Sequence, residues 1–194
     1  GYAEYMYLSP LSVVRRMDPT LPAPVAVMFN PLAAGFSWAV SVPGTKPADR
    51  VVVLGSGQRG LCCVVAAREA GAAQIIVTGL GRDRHKLDLA RELGADLTID
   101  AEQEDVVKRV REATGGGATV VVDTTPFAPA SPAHAVAMAA RRGRIVLAGL
   151  KGRRATPDLF ADDVIYKELT IRGVLGMPYD DFERAVRLLE SRKY

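Results

Sequence analysis

The chain has 194 residues, which allows one large domain or one domain with part of a second, and 48% of them are hydrophobic, enough for a buried core. The formal net charge is only +3, with acidic and basic residues interspersed, so the composition gives no indication of a nucleic-acid partner. No run of about 18 apolar residues and no charged-then-apolar leader stands out, so neither a membrane-spanning helix nor a signal peptide is expected.

Residues 1–48 differ in pattern from the rest of the chain. The alternating segment Tyr2–Tyr7 predicts a short strand, and a stretch of small apolar residues predicts a helix from Pro24 to about Val42. A rigid turn rich in Pro and Gly, residues 43–47, leads into the next element. Because one strand and one helix cannot enclose a core, we expect these residues to be the remnant of a larger domain.

From residue 49 onward, short aliphatic runs alternate with helical segments. The predicted strands are Arg50–Leu54, Gln74–Thr78, Leu97–Ile99, Thr119–Asp123, Arg144–Ala148 and Leu169–Val174. The predicted helices are Leu61–Ala70, Arg84–Leu93, Glu102–Thr114, Pro132–Arg142, Leu159–Tyr166 and Tyr179–Ser191, and left-handed residues that end helices are expected at Gly71, Gly94 and Gly143. Continuous aliphatic strands that alternate with helices predict a doubly wound parallel α/β sheet, the Rossmann fold.

The turn after the first strand carries the strongest chemical signal. The strand runs directly into the pattern G-x-G-x-x-G, made by Gly55, Gly57 and Gly60, with Gln58 and Arg59 before the last glycine. Gly55 permits a tight turn, Gly57 lets the backbone approach a pyrophosphate, and Gly60 lets the helix pack close to its strand. The N–H groups at the helix start favour phosphates, and Arg59 is a candidate to add to their field. A Gly-rich turn without a ligand is the alternative.

The end of the second strand indicates which dinucleotide is preferred. NAD-dependent proteins usually place an Asp or Glu there, about 20 residues past the glycines, to bind the ribose hydroxyls. Gly79 stands at this position, which removes a charge that would repel a 2′-phosphate, and Arg82 and Arg84 are well shaped to pair with one, so NADP is favoured over NAD. Two alternatives remain open: Asp83 reaches back to the ribose, or Arg84 and Lys86 form the solvated face of the next helix.

The cysteines and histidines match no site pattern. Cys62 and Cys63 are adjacent, which suits neither a structural disulfide nor a metal site, so we expect small core-facing residues in a reducing, cytoplasmic compartment. His85 and His134 have no second ligand at metal spacing and are expected at the surface. Lys151, Arg153 and Arg154 follow the fifth strand, and we expect them to lie in a solvated loop. The alternative is that they contact a phosphate or an acidic group of the substrate.

Several segments together resemble the medium-chain dehydrogenase/reductase superfamily, in its zinc alcohol-dehydrogenase-like branch. Order and spacing hold from residue 1 to about 190, in segments 1–5, 30–35, 43–49, 53–60, 89–96, 121–123 and 143–149. The resemblance covers only the middle and later half of a typical member. It implies an NAD(P)-binding Rossmann domain at residues 49–194, preceded by a remnant of the catalytic, GroES-like domain and a connecting helix at residues 1–48.

The resemblance also implies an activity. Members transfer a hydride between nicotinamide and an alcohol or carbonyl substrate, and this chain would supply the dinucleotide-binding domain, inactive alone because the catalytic part lies upstream. No catalytic residue is assigned. The family's third zinc ligand, a Cys or Glu, is replaced by Asn30, so no zinc is expected in this chain. Asn30 is favoured as a helix cap, with orientation of a water or substrate as the alternative.

Further implications concern the nicotinamide end and the subunit contact. Backbone at the carboxyl ends of the last three strands would line the nicotinamide, at Thr124, Thr125, Gly149, Leu150, Val174, Leu175 and Gly176. The family commonly dimerises by pairing edge strands. Because a long β-branched edge strand invites pairing, a homodimer through Leu169–Val174 is expected.

Two other classes of function are compatible with a Gly-rich first turn. One is a non-catalytic NAD(P)-binding or redox-sensing module, which Asn30 and the missing upstream half support. The other is a methyltransferase, which expects an acidic residue ahead of the glycines and another at the end of the second strand. Leu54 and Gly79 argue against the methyltransferase. The oxidoreductase is the favoured hypothesis.

Overall fold

Six parallel strands form a single sheet in the computed structural model, which describes residues 3–194. The strands are β1 (Arg50–Leu54), β2 (Gln74–Gly79), β3 (Leu97–Asp100), β4 (Ala118–Asp123), β5 (Ala139–Leu147) and β6 (Thr170–Gly173). Their order across the sheet is β3-β2-β1-β4-β5-β6, so the direction of winding reverses between β1 and β4. The predicted Rossmann fold is confirmed. In such sheets ligands bind outside the carboxyl ends of the strands, at the point of reversal.

Helices cover both faces of the sheet. They are α1 (Ala23–Ala26), α2 (Phe29–Phe36), α3 (Gln58–Glu69), α4 (Arg84–Glu92), α5 (Val106–Ala113), α6 (Ser131–Met138), α7 (Ala161–Tyr166) and α8 (Tyr179–Glu190). A π-helical turn over Ser37–Ser41 continues α2, and a 3₁₀ turn over Gly81–Asp83 precedes α4. The segment predicted as one helix from Pro24 to Val42 is therefore built from several helical pieces. The start of α5 falls later than predicted because the Asp105 side chain caps it, accepting from Lys108 N at 3.0 Å.

The central strands are aliphatic because both of their faces are buried. Successive residues of a strand point to opposite faces. Val51 and Val53 accordingly pack with α2, α3 and α4, while Val52 and Leu54 pack with α5 and α6. The cysteines of α3 are buried free thiols, as predicted, and burial raises the pKa of Cys62 to about 12.

The helical stretch Ala23–Ser41 has 19 residues and a mean hydropathy of 1.3, long and apolar enough to cross a membrane by length and composition alone. This corrects the expectation that the chain has no such stretch. Half of it is buried inside the fold, where α2 packs against α3 and α8. Gly35 permits the close approach, since a Cβ built on it would lie 2.4 Å from the Cys62 carbonyl oxygen. Contacts within the protein therefore account for the apolar residues of the buried half.

Two local predictions are wrong. Ala3–Tyr7, the described part of the first predicted strand, forms no strand and exposes its side chains; Tyr2 lies outside the described residues. Alternation alone is insufficient, because a strand also needs a partner to pair with. The helix predicted to continue to Arg142 ends at Met138, and β5 begins at once.

The early start of β5 changes the role of Gly143. The alanine-rich residues that precede Gly143 have a high helix propensity. Ala139 nevertheless pairs with Ala118 of β4, and the register of the pairing shifts between Ala118 and Val120. Gly143 is therefore a buried strand residue rather than a helix end, and Arg142 has the left-handed backbone with a φ of +59°. Gly71 and Gly94 do follow α3 and α4 with φ of +75° and +112°.

A cluster at the amino end of β1 holds the preceding turn to the sheet. Asp49 accepts from Lys46 N at 2.6 Å and from Thr119 Oγ1 at 2.8 Å, and it pairs with Arg144. Arg144 also donates to the Pro43 carbonyl at 2.8 Å. Burial alone would raise the pKa of Asp49, but these hydrogen bonds outweigh it and the pKa is lowered. The turn therefore fixes α2 relative to β1.

Candidate functional site

The turn between β1 and α3 has a backbone that requires glycine. Gly55 has a φ of +103°, in the left-handed region that glycine populates without steric cost. Its N–H donates to the Thr78 carbonyl at 3.0 Å. A Cβ built on Gly60 would lie 1.9 Å from the Gly55 carbonyl oxygen, so α3 packs directly against the turn. The predicted structural roles of these two glycines are confirmed, and their contacts to a ligand stay a prediction.

Gly57 differs because space is open in front of it. It is the cap residue of α3, with ordinary extended backbone, and a Cβ built on it meets nothing within 4 Å. Among the described residues no side chain caps this helix, and its first turn holds no acidic residue. The N–H groups of a helix's first turn have no carbonyl of a preceding turn to bond to, and the helix dipole adds positive potential at this end. The start of α3 is therefore an accessible, electropositive end that suits an anion.

A cleft of about 460 Å³ lies between the start of α3, the π-helical turn and the carboxyl ends of β4 and β5. The structure brings together most of the predicted contact residues in its lining, namely Gly57, Gln58, Arg59, Gly60, Thr124, Gly149, Leu150 and Leu175. It adds four that sequence reasoning missed, namely Trp38, Pro126, Phe127 and Ala148. The other predicted contact residues lie outside the lining, namely Gly55, Gly79, Arg82, Arg84 and Thr125.

Arg59 and Trp38 meet at one wall of the cleft. The Arg59 guanidinium carbon lies 5.4 Å from the centre of the Trp38 ring, within the range of a cation–π contact. Trp38 is only 3% exposed, so its ring is a fixed platform, whereas Arg59 is exposed. The sequence offered no signal for this pair, because Trp38 falls in a helix that the pattern assigned to the domain remnant.

A buried ion pair supports the opposite wall. Lys151 Nζ lies 2.9 Å from Asp123 Oδ2, with the two side chains 13% and 0% exposed. Asp123 also accepts from Ser131 Oγ at 2.6 Å and from Thr125 Oγ1 at 2.6 Å, and Lys151 donates to the Thr125 carbonyl. The expectation of a solvated Lys151 is wrong, because its ammonium group is paired with the buried Asp123 and its side chain is mostly buried. Arg153 and Arg154, which follow Lys151 in the loop, are exposed as expected.

Two neighbouring side chains, Ser56 and Leu87, crowd the end of β2 and would have to shift to admit a side chain at Gly79. A Cβ built on Gly79 would lie 2.5 Å from Ser56 Oγ and 2.8 Å from Leu87 Cδ2. Asp83 is engaged by Lys86, with Nζ to Oδ1 at 2.7 Å, and this contact lowers the pKa of Asp83. The neighbouring Arg82 and Arg84 are both exposed, and neither makes an ion pair within residues 3–194.

The predicted cap role of Asn30 is wrong. Asn30 lies inside α2, whose cap residue is Met28, and no side-chain cap bond is formed. Because α2 begins at Phe29, Asn30 is already within the helix and its own backbone is helical. Both histidines are exposed, as expected. In the described range 3–194 no three His, Cys, Asp or Glu side chains group in a way that suits a metal ion, so these residues do not fit zinc.

A larger apolar groove of about 590 Å³ lies on the outer face of α3. Its walls are mainly aliphatic, from α3, α4 and α8, for example Leu61, Leu89 and Leu188. Its lining includes Gln58, His85 and Lys86 but neither the glycines of the first turn nor the carboxyl ends of β4 and β5. A site needs placed polar groups as well as volume, so the smaller cleft is the better candidate.

Comparisons with known proteins identify the family of the chain. A family model described as zinc-binding dehydrogenase matches residues 60–191. Over the whole chain, the sequence is 48% identical to a Mycobacterium tuberculosis protein named “Probable alcohol dehydrogenase adh”, of which it covers 53%.

Solved structures show the same fold. Benzyl alcohol dehydrogenase from Acinetobacter calcoaceticus superposes with a TM-score of 0.82 at 25% identity, over 92% of this chain and 50% of that one. A zinc-binding dehydrogenase from Sinorhizobium meliloti 1021, bound to NADP, superposes with a TM-score of 0.82 at 27% identity, over 91% of this chain and 51% of that one. The chain thus spans about half the length of the relatives it matches.

Proposed function

This chain belongs to the zinc-binding dehydrogenase family, within the medium-chain dehydrogenase/reductase superfamily, and we propose that it supplies the dinucleotide-binding domain of an NAD(P)-dependent oxidoreductase. The whole protein would act on an alcohol or carbonyl substrate. Residues 49–194 would form the binding domain, and residues 1–48 would belong to the catalytic part. One observation carries the proposal: the open, uncapped start of α3 faces a cleft at the point where the winding of the sheet reverses.

The residues present fit a nicotinamide dinucleotide. The N–H groups of the first turn of α3 would hold the pyrophosphate, in the space that a side chain on Gly57 would fill. The nicotinamide would lie against the carboxyl ends of β4, β5 and β6, along the backbone of Thr124, Thr125, Gly149, Leu150 and Leu175. When bound, this group supplies a hydride acceptor or donor.

Apolar side chains border the cleft and would shield the ring from water. Phe127, Leu150 and Leu175 are 66%, 71% and 81% exposed, so their apolar surface is accessible to a ligand. All three line the cleft. A surface of this kind suits a partly apolar ligand, and it supports placing the nicotinamide end here.

NADP is proposed over NAD. Gly79 supplies no acid, Asp83 is held by Lys86, and in residues 3–194 the exposed guanidinium groups of Arg82 and Arg84 form no ion pair. We expect Arg82→Ala or Arg84→Ala to weaken NADPH binding by about tenfold while changing NADH binding little, since only NADPH carries the 2′-phosphate. Fluorescence titration of the chain with each dinucleotide measures both affinities.

Arg153→Ala is the matched control, because Arg153 is an exposed arginine of another loop. Equal losses for NADPH and NADH would contradict the 2′-phosphate assignment. A tighter complex with NADH in the unmodified chain would move the preference to NAD. Binding of neither dinucleotide would overturn the proposed function itself.

A homodimer through β6 is also proposed. β6 is an edge strand whose residues are exposed, and Ile171 is 39% exposed beside Ile165 at 68% and Tyr166 at 77%. Unpaired edge strands favour pairing with another chain, and an edge lysine opposes it. We expect Ile171→Lys to shift the mass in sedimentation equilibrium from a dimer to the 20.7 kDa monomer. A monomeric unmodified chain at micromolar concentration would contradict the proposal.

A further inference from the structure

Arg59 is the charged side chain of the cleft. Among the described residues that line the cleft it alone carries a charge; the others are apolar, glycine or neutral polar. In residues 3–194 its guanidinium makes no ion pair, and its recorded contact is with the face of Trp38. A cation–π contact attracts a cation without neutralising it. The cleft therefore holds an uncancelled positive charge.

The position of this charge is defined by its surroundings. Trp38 packs in the core with Ala34, Val64 and other buried residues, so the platform under the guanidinium is rigid. Arg59 itself stands in the first turn of the 12-residue helix α3, where the helix dipole adds to the positive potential. The acid at the opposite wall does not offset it, because Asp123 is paired with Lys151 below the surface.

The two redox forms of a nicotinamide dinucleotide respond differently to such a charge. The oxidised ring is a cation and the reduced ring is neutral, while the pyrophosphate and the sugars are the same in both. An attraction between Arg59 and the phosphates therefore raises the affinities for the oxidised and the reduced dinucleotide by the same factor. A repulsion between Arg59 and the ring changes only the affinity of the oxidised form.

We propose that Arg59 is a specificity-determining residue that makes the cleft bind the reduced dinucleotide in preference to the oxidised one. The inference rests on the proposed function and adds to it which redox form of the dinucleotide, oxidised or reduced, the domain binds more tightly. Unit charges several ångströms apart at a solvent-facing site give an effect of about fivefold in affinity. The preference should shrink as ionic strength rises, because the site is open to solvent.

The test is the ratio of two dissociation constants, measured by calorimetry for NADP⁺ and NADPH on the same preparation. In Arg59→Met the preference for NADPH should fall by about fivefold relative to the unmodified chain. Arg59→Lys, which keeps the charge, should retain it. Arg59→Met removes only an exposed and therefore weak cation–π contact, so both variants should unfold within about 4 °C of the parent. Arg153→Met serves as a charge-matched control outside the cleft.

The outcomes separate the hypotheses. Equal weakening of both forms in Arg59→Met would overturn the inference and make Arg59 a phosphate contact. An unchanged ratio with unchanged affinities would overturn it and leave Arg59 a surface residue. If the unmodified chain binds neither form, the proposed function fails; if it binds both and only the ratio is insensitive to Arg59, the proposed function stands and the inference does not.

Discussion

Gly60→Ala is expected to lower the free energy of unfolding by about 3 kcal/mol or more, and to abolish dinucleotide binding with it. The added Cβ would lie 1.9 Å from the Gly55 carbonyl oxygen and 3.2 Å from Thr124 Oγ1. The nearest obstacle is backbone, so relief requires α3 to move away from β1. Urea denaturation monitored by circular dichroism measures the change. An unfolding free energy within about 0.5 kcal/mol of the parent would contradict the close packing.

Gly57→Ala is the matched control from the same turn. Its φ is −71°, and apart from its chain neighbours no atom of residues 3–194 lies within 4 Å of the added Cβ, so the unfolding free energy should change by less than about 1 kcal/mol. Dinucleotide binding should nevertheless weaken by about tenfold or more, because the methyl group enters the space proposed for the pyrophosphate. A normal affinity in Gly57→Ala would mean that the ligand does not approach this backbone.

Lys151→Met is expected to destabilise the fold by about 3 kcal/mol, since it leaves the Asp123 carboxylate without its cation in a fully buried place. Lys151 also donates to the Thr125 carbonyl, so the end of β4 should lose its orientation and dinucleotide affinity should fall. Thermal and urea unfolding measure the first effect, and titration measures the second.

The double variant Lys151→Met/Asp123→Asn distinguishes an ion pair from simple packing. Removing the charge of Asp123 together with Lys151 should restore part of the lost stability, because no uncompensated buried charge then remains. Arg153→Met in the same loop should be within about 0.5 kcal/mol of the parent, as its side chain is exposed. Additive effects of the two single changes would show that the pair is not coupled.

Local patterns predicted the parts of the molecule that local forces determine. The aliphatic runs of β1, β2 and β4 are buried on both faces whatever the order of the strands, so their composition identified them. The glycine turn was equally clear, because the backbone conformation at Gly55 and the close contact at Gly60 each require the absence of a side chain.

Contacts between distant segments were beyond the reach of such patterns. The boundary between α6 and β5 depends on the pairing of Ala139 with Ala118, which overrides the helix propensity of an alanine-rich run. Lys151 resembled a solvated cation because its partner Asp123 is distant in sequence and is concealed at the end of an aliphatic strand. Trp38 reaches the cleft through the packing of the π-helical turn on α3, a contact between segments that are distant in sequence.

The strand order has a consequence for how the cleft is made during synthesis. β1 lies between β2 and β4, so its second neighbour is supplied only when Ala118–Asp123 has been translated. The Gly55 turn completes its contacts later still, because Thr124 must donate to the Leu54 carbonyl at 2.8 Å. Until then one edge of β1 stays unpaired, and nascent chains that stall before residue 118 should be the aggregation-prone species.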